Sequence, residues 1–314
     1  AKIYVTEGSG EYNLNTTDRD PGGYSLLSAR LASQNLELVP LKLAEQEGVP
    51  ADADAVLVAG PRFQVPAASV AALQAYVGKA GRILLLLDPG IPTGLENLLA
   101  EHGVTVDADK IFRKVAVLST AGLTQGLNDE VVGTRFSDHP AIRWIDNVGG
   151  SLRLGPSRSL TIKPTGPAAA VKPEMLAETS DRYWAKNWPL GAGKKSDFVE
   201  GEDRKGPFVV AAALDGSAPG DKGKEAAALR AVVVGSASAF SNQNISPMEV
   251  DFVVNALNWI LGRQESLGIS PKAPKDFALS MDESQERWIM IAVLGGIPLM
   301  TGALGILVWW RRRH

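Results

Sequence analysis

Apolar positions near the start of the chain fall into two alternating patterns. Short apolar-rich segments at 2–6, 36–41, 55–59 and 82–87 read as strands, and Ile83-Leu84-Leu85-Leu86-Leu87, apolar at every position, reads as a central strand covered on both faces. Between them, Leu26, Leu27 and Leu31 predict one face of a helix over 24–34. Val70, Leu73 and Val77 predict a second helix over 66–79, with Pro66 suited to its first turn. A further helix is expected over 93–102. Strand and helix in alternation build a parallel sheet, so the predicted class is α/β, with a Rossmann-like or flavodoxin-like, mostly parallel sheet that begins over 1–104.

The next stretch, 105–206, loses that regularity. Its β-like runs at 114–118, 131–136 and 151–162 are separated by Gly, Pro and Asp clusters, which predicts a β-rich insertion or subdomain. Apolar strands return at 207–214 and 229–234. A helix over 249–261 carries Phe252, Val253, Ala256, Leu257 and Ile260, and segment 207–262 is expected to rejoin the first sheet. Residues 263–287, with Pro271 and Pro274, read as a linker.

Residues 288–310 form a run of 23 residues without a charge. A helix of that length spans a hydrocarbon core of about 30 Å. Tryptophans stand at both ends and Arg311, Arg312 and Arg313 follow, which predicts a single C-terminal transmembrane helix with 311–314 as a cytoplasmic tail. The preceding domain is then expected on the periplasmic, extracytoplasmic side of the inner membrane. Gly295, Gly296, Gly302 and Gly305 would let a neighbouring helix pack closely. The first residues read directly as a strand, with no leader pattern, so an upstream signal or membrane helix is expected to be missing from the chain.

Composition narrows the chemistry. Apolar residues make up 45% and charged residues 21%, ordinary values for a folded protein. Setting aside the three terminal arginines turns a net charge of −3 into −6, which argues against a nucleic-acid binder. The absence of cysteine removes disulfides, thiolate nucleophiles and cysteine-based zinc sites. None of the three histidines pairs with another at metal-ligand spacing, so neither a metal nor a cofactor is expected.

In a doubly wound sheet, ligands meet the loops after the carboxyl ends of the strands. Here those loops read Glu7-Gly8-Ser9-Gly10-Glu11, Gly60-Pro61-Arg62-Phe63, Asp88-Pro89-Gly90 and Gly235 through Asn242. They would crowd Glu11, Arg62, Asp88, Ser236, Ser238 and Asn242 onto one rim, the candidate ligand-binding residues. One reading is turn geometry, with Asp88 capping a helix or turn; the other is a small polar cleft for a glycan-like or peptide-like ligand. Nucleotide motifs fail: Gly8-Ser9-Gly10 lacks a third glycine because Asn13 stands there, and Gly193-Lys194 and Gly223-Lys224 are followed by Lys195 and Glu225 rather than Ser or Thr. A Ser236, His139 and Asp88 triad lacks the Gly-x-Ser-x-Gly elbow, so no catalytic residue is assigned. Trp184 and Trp188 read either as stacking surfaces for a glycan or as packing.

Several segments together resemble the GldG family, the auxiliary subunit of a gliding-motility-type ABC transport system. They are the 2–11 start, Asp54-Ala55-Val56-Leu57-Val58-Ala59-Gly60-Pro61, Gly81 through Pro89, Gly206-Pro207-Phe208, Val232 through Asn242, Asn255-Ala256-Leu257-Asn258-Trp259 and the closing Trp309-Trp310-Arg311-Arg312-Arg313. The resemblance implies an extracytoplasmic α/β domain working beside an ABC permease and a separate ATPase subunit. It also implies a related fold in intraflagellar-transport proteins and a distant likeness to glutamine-amidotransferase-type domains. That last activity does not carry over, since its chemistry needs a cysteine. Family members commonly carry acidic residues where Ser236 and Ser238 stand here. The expected function is a non-enzymatic, ligand- or partner-binding auxiliary subunit; a membrane-tethered hydrolase or glycan-modifying enzyme and an envelope scaffold are the alternatives.

Overall fold

The computed structural model describes residues 1–16, 20, 22–119, 122–163, 171–191, 195–216 and 228–263, together with Met300, Gly302, Val308, Arg311 and Arg312. Its main sheet holds ten strands. Five run parallel in the order β2 (Glu37–Leu41), β1 (Lys2–Thr6), β3 (Ala55–Ala59), β4 (Arg82–Leu86) and β16 (Arg230–Val234). Beside β16 lies β15 (Val209–Asp215), antiparallel to it. From β15 the sheet divides into β11 (Leu160–Ile162) with β5 (Val104–Val106), and β12 (Lys172–Glu178) with β9 (Arg135–Phe136), every pairing antiparallel. A two-stranded sheet joins β10 (Leu152–Gly155) to β8 (Val131–Gly133). A four-stranded one has the order β14 (Arg204–Lys205), β13 (Tyr183–Asn187), β6 (Asp109–Ser119), β7 (Gly122–Asn128).

The expected Rossmann-like or flavodoxin-like, mostly parallel sheet is therefore corrected to a mixed one. An unbroken apolar run reports burial on both faces and says nothing of strand direction. The run in β15 was compatible with either direction, and it pairs head to tail with β16, Asp215 opposite Arg230. Within residues 1–263 the described strands also outnumber the described α-helices, sixteen to four.

Alternate residues of the parallel strands face two cores. Ile3, Val5, Leu57, Leu84, Leu86, Val232 and Val234 face α1 (Ser25–Ser33) and α4 (Pro247–Ile260). Val56, Val58, Ile83, Leu85, Ala231 and Val233 face α2 (Ala67–Gly78). In α1 the buried stripe is Leu27 and Leu31, and in α2 it is Ser69, Leu73 and Val77, each at four-residue spacing. Every residue of α4 from Phe252 to Ile260 is buried, because the sheet covers one side and the segment from Ala141 through α3 (Trp144–Asn147) to Leu154 contributes to the same core. The start of α4 is tied down by Glu249, whose carboxylate accepts from the Ser246 hydroxyl and from Arg153 N at 2.9 Å.

The helix expected over 93–102 reduces to turns and a single 3-10 turn, Ala100–His102. Gly94 sits at φ +89°, and Glu96 folds back to accept from Thr93 N at 2.7 Å and Gly94 N at 2.9 Å, which ends any regular first turn.

The chain divides into two units, Ala1–Ser270 and Pro271–His314. In the second, the described residues are helical. Most of the run over 288–310, with Gly295, Gly296 and Gly305, lies outside the described residues; Gly302 is exposed. Among the described residues no helix is long and apolar enough to cross a membrane. The expected transmembrane anchor, and the inner-membrane location with a periplasmic domain that rested on it, are corrected accordingly.

Candidate functional site

The carboxyl ends of β1, β3, β4 and β16 bring their loops together, and Asp88 is the junction. Its Oδ1 accepts from Ala237 N at 2.7 Å and Ser238 N at 2.8 Å, the amides that open the 3-10 turn Ser238–Phe240. Its Oδ2 accepts from the Tyr12 hydroxyl at 2.9 Å. A carboxylate from the loop after β4 thus caps a turn after β16 and holds the loop after β1.

Tyr12 stacks on Tyr24 with ring centroids 4.7 Å apart, and Tyr24 donates to Ala237 O at 2.6 Å. Burial, followed by the charge of Asp88, pushes both phenols well above their ordinary range, so they remain donors. The Arg62 guanidinium lies 4.5 Å from the Tyr12 ring centroid, a cation-π contact on the outer side of the stack.

Sequence reasoning missed Arg158, which is 1% exposed. Its Nε donates to Asp88 O at 2.7 Å, Nη1 to Glu96 Oε1 at 3.2 Å, and Nη2 to Gly90 O at 3.4 Å and Ile91 O at 3.3 Å. Burial would raise the Glu96 carboxyl, but the Thr93 and Gly94 amides and the Arg158 charge together hold it below the usual carboxylate range. The only local hint of this role is a charged residue within Gly155-Pro156-Ser157-Arg158-Ser159, between two strands. Arg158 N donates to Gly235 O at 2.7 Å, and a Cβ on Gly235 would stand 2.2 Å from Arg158 O. Gly235→Ala is expected to lose about 1–3 kcal/mol, the range for overpacking, read as a lower urea midpoint at unchanged slope.

The other predicted residues are also engaged within the fold. Glu11 Oε2 accepts from Ser9 N at 2.6 Å and closes its own loop. Ser236 is fully buried and donates to Leu154 O at 2.6 Å; Ser238 Oγ lies 3.3 Å from Ser236 Oγ. Asn242 lies farther round, where it accepts from Leu26 N at 3.1 Å and donates to Asp20 O and Ser25 Oγ, both at 2.9 Å, anchoring the start of α1. His139 joins neither Ser236 nor Asp88: its Nδ1 accepts from Ala141 N at 3.2 Å and its ring meets Trp259 edge-on. The imagined triad is not assembled. Trp184 and Trp188 pack around Phe112, with centroids 6.3 and 5.8 Å away, as a structural cluster of the four-stranded sheet.

A cavity of about 30 Å³ lies beside the rim, lined by Thr6, Ser9, Glu11, Ser69 and Leu73. That is room for about one water, against roughly 300–1,000 Å³ for a small-molecule pocket. The Thr6 hydroxyl, whose residue lines it, is buried with no hydrogen-bond partner among the described residues. What the rim offers outward includes two large apolar side chains, Phe63 at 62% exposed and Ile91 at 47%, with exposed Arg62 and Gln64 beside Phe63.

A mixed α/β domain whose strand-end loops are knotted together by their own polar groups is the class that fold and rim define. The chain belongs to the family ABC_transp_aux, described as an ABC-type uncharacterized transport system, whose model matches residues 1–261. It is thus an auxiliary component of an ABC-type transport system, in line with the GldG-type resemblance, while the match does not extend to gliding motility. No curated protein sequence matches the chain. Among solved structures, the chain is similar to the mmIFT52 N-terminal domain over 86% of its length and 100% of that domain, at 19% identity and a TM-score of 0.53. That likeness concerns the fold alone. A ThuA-like protein from Bacteroides uniformis is similar over 82% of this chain and 90% of its own, at 12% identity and a TM-score of 0.44.

Proposed function

We propose that the protein is a non-enzymatic subunit of its ABC-type system, and that it works by docking the permease or the separate ATPase subunit through the strand-end rim. The observation that carries this reading is the contrast at the rim. Asp88, Ser236, Glu11 and Asn242 have their hydrogen bonds within the fold, and the adjoining cavity has room for only about one water. Phe63 and Ile91 meanwhile project into solvent on neighbouring loops. Exposed aromatic and branched side chains on a rigid support are the anchors that protein interfaces use. In this reading Arg62 flanks Phe63 at the contact, and the other predicted residues hold the loops in place.

A hydrolase built on Ser236 would need its hydroxyl exposed, and it is fully buried and donating to a carbonyl. The test is affinity copurification of the full chain coexpressed with its permease and ATPase subunits. Phe63→Asp is expected to lower recovery of the partner at least about tenfold, as for loss of a binding anchor, with an unchanged melting temperature. Recovery equal to wild type from a folded Phe63→Asp chain would remove the rim from the contact.

A further inference from the structure

The four-stranded sheet has two unlike edges. The β14 edge is two residues long and basic, Arg204–Lys205. The β7 edge runs seven residues, Gly122-Leu123-Thr124-Gln125-Gly126-Leu127-Asn128, with no charge and no proline. The main sheet, by comparison, blunts its β2 edge with Glu37 and Pro40. Exposed edges are ordinarily protected by such residues because their free backbone groups template another strand. Among the described residues nothing of the kind protects β7, and Val117 and Leu127 on this hairpin are each 43% exposed.

The register fixes which backbone groups are free. Ser119 pairs with Gly122 across two intervening residues, and the pair closing such a hairpin is hydrogen-bonded. Bonded pairs then recur at every second position, Val117 with Thr124 and Val115 with Gly126. Leu123, Gln125 and Leu127 therefore direct their N–H and C=O groups away from β6. These outward positions read the same in both directions about Gln125, with leucine on either side.

We infer that β7 is the interface of a symmetric dimer, in which two copies pair antiparallel about a two-fold axis through Gln125. A two-fold contact requires a patch complementary to itself. In this register Gln125 meets Gln125 of the partner subunit, and Leu123 meets Leu127 of the partner subunit. Each such pair exchanges both backbone hydrogen bonds, and no charge is brought against a like charge. A strand of another protein would not require the symmetry of this edge, which is why a second copy is the occupant.

The full chain has no cysteine, so Gln125→Cys introduces a single thiol. Bonded antiparallel pairs bring Cα atoms to about 5.5 Å, inside the roughly 4.4–6.8 Å range for a disulfide. Mild oxidation is expected to convert most of the Gln125→Cys chain to a covalent dimer on a non-reducing gel. Thr124→Cys, whose opposite position is Gly126 of the partner subunit, is expected to stay mostly uncrosslinked. Separately, Gln125→Pro removes an outward N–H and leaves the β6 ladder intact. Light scattering after size exclusion is expected to show its dimerisation weakened about 100-fold or more, with unchanged circular dichroism. The proposal is overturned by a wild-type chain that is monomeric at about 100 µM, by a dimer that survives Gln125→Pro, or by equal crosslinking at 124 and 125.

Discussion

Replacing Arg158 with methionine is expected to destabilise the folded domain by about 3–5 kcal/mol, the cost of breaking a buried ion pair on one side. The guanidinium is buried and serves Glu96 together with the carbonyls of Asp88, Gly90 and Ile91. Methionine fills much of the volume but leaves the 13%-exposed Glu96 carboxylate facing an apolar group. For a domain of this size the melting temperature should fall by on the order of 10 °C. Arg158→Lys is expected to recover little, because one ammonium cannot reproduce a planar fork that reaches several acceptors. Arg158→Met combined with Glu96→Gln should recover part of the loss, since the unpaired charge is then gone. Thermal melts of the three variants decide the matter; a shift for Arg158→Met equivalent to under about 1 kcal/mol would mean that this loop is held by something else.

How far the sequence reached depends on whether each contact leaves a local trace. The strand at 55–59 was legible because burial on both faces demands an apolar residue at every position, and the one at 2–6 because Ile3, Tyr4 and Val5 keep that pattern between polar ends. Helix α2 was legible to within a residue or so at each end, since Leu73 and Val77 repeat at helical spacing and Pro66 marks the start. Direction was not legible: β15 carries the same apolar signature as β16 yet runs against it. Nor was the 93–102 segment, where an apolar pattern like that of a helix is overridden by Gly94 and by a Glu96 bonded back to the chain.

The rim shows the same division. Gly and Pro clusters located the loops, and the capping reading of Asp88 matches the two amides it receives. Its other partners lie far away in sequence: Tyr12 is 76 residues distant and Arg158 is 70. No window along the chain relates such residues. Polar residues at strand ends therefore signal a junction, and only their partners decide whether they face a ligand or one another.

Acid provides the second large effect. Between pH 7 and pH 4 His139 is expected to remove about 3 kcal/mol of folding stability. Burial, more than the nearby Arg230 and Arg143 charges, lowers its pKa from 6.5 to about 4, against the opposing pull of Asp215. Geometry gives the reason, for Nδ1 accepts from Ala141 N and is able to do so only while unprotonated. Below pH 6.5 the unfolded chain takes up a proton that the folded chain refuses until about pH 4. The unfolded state then binds more protons, so stability rises with pH across that window, by about 1.4 kcal/mol per unit. The buried Asp109 carboxyl, whose pKa burial raises, works in the opposite sense near the acid end and cancels in a difference between variants. His139→Asn keeps an acceptor for the amide two residues on and has nothing to titrate. The variant should be weaker at pH 7 because it packs less well against Trp259, yet its urea midpoint should change less on acidification. Parallel pH profiles for the two chains would show that the imidazole is not what acid attacks.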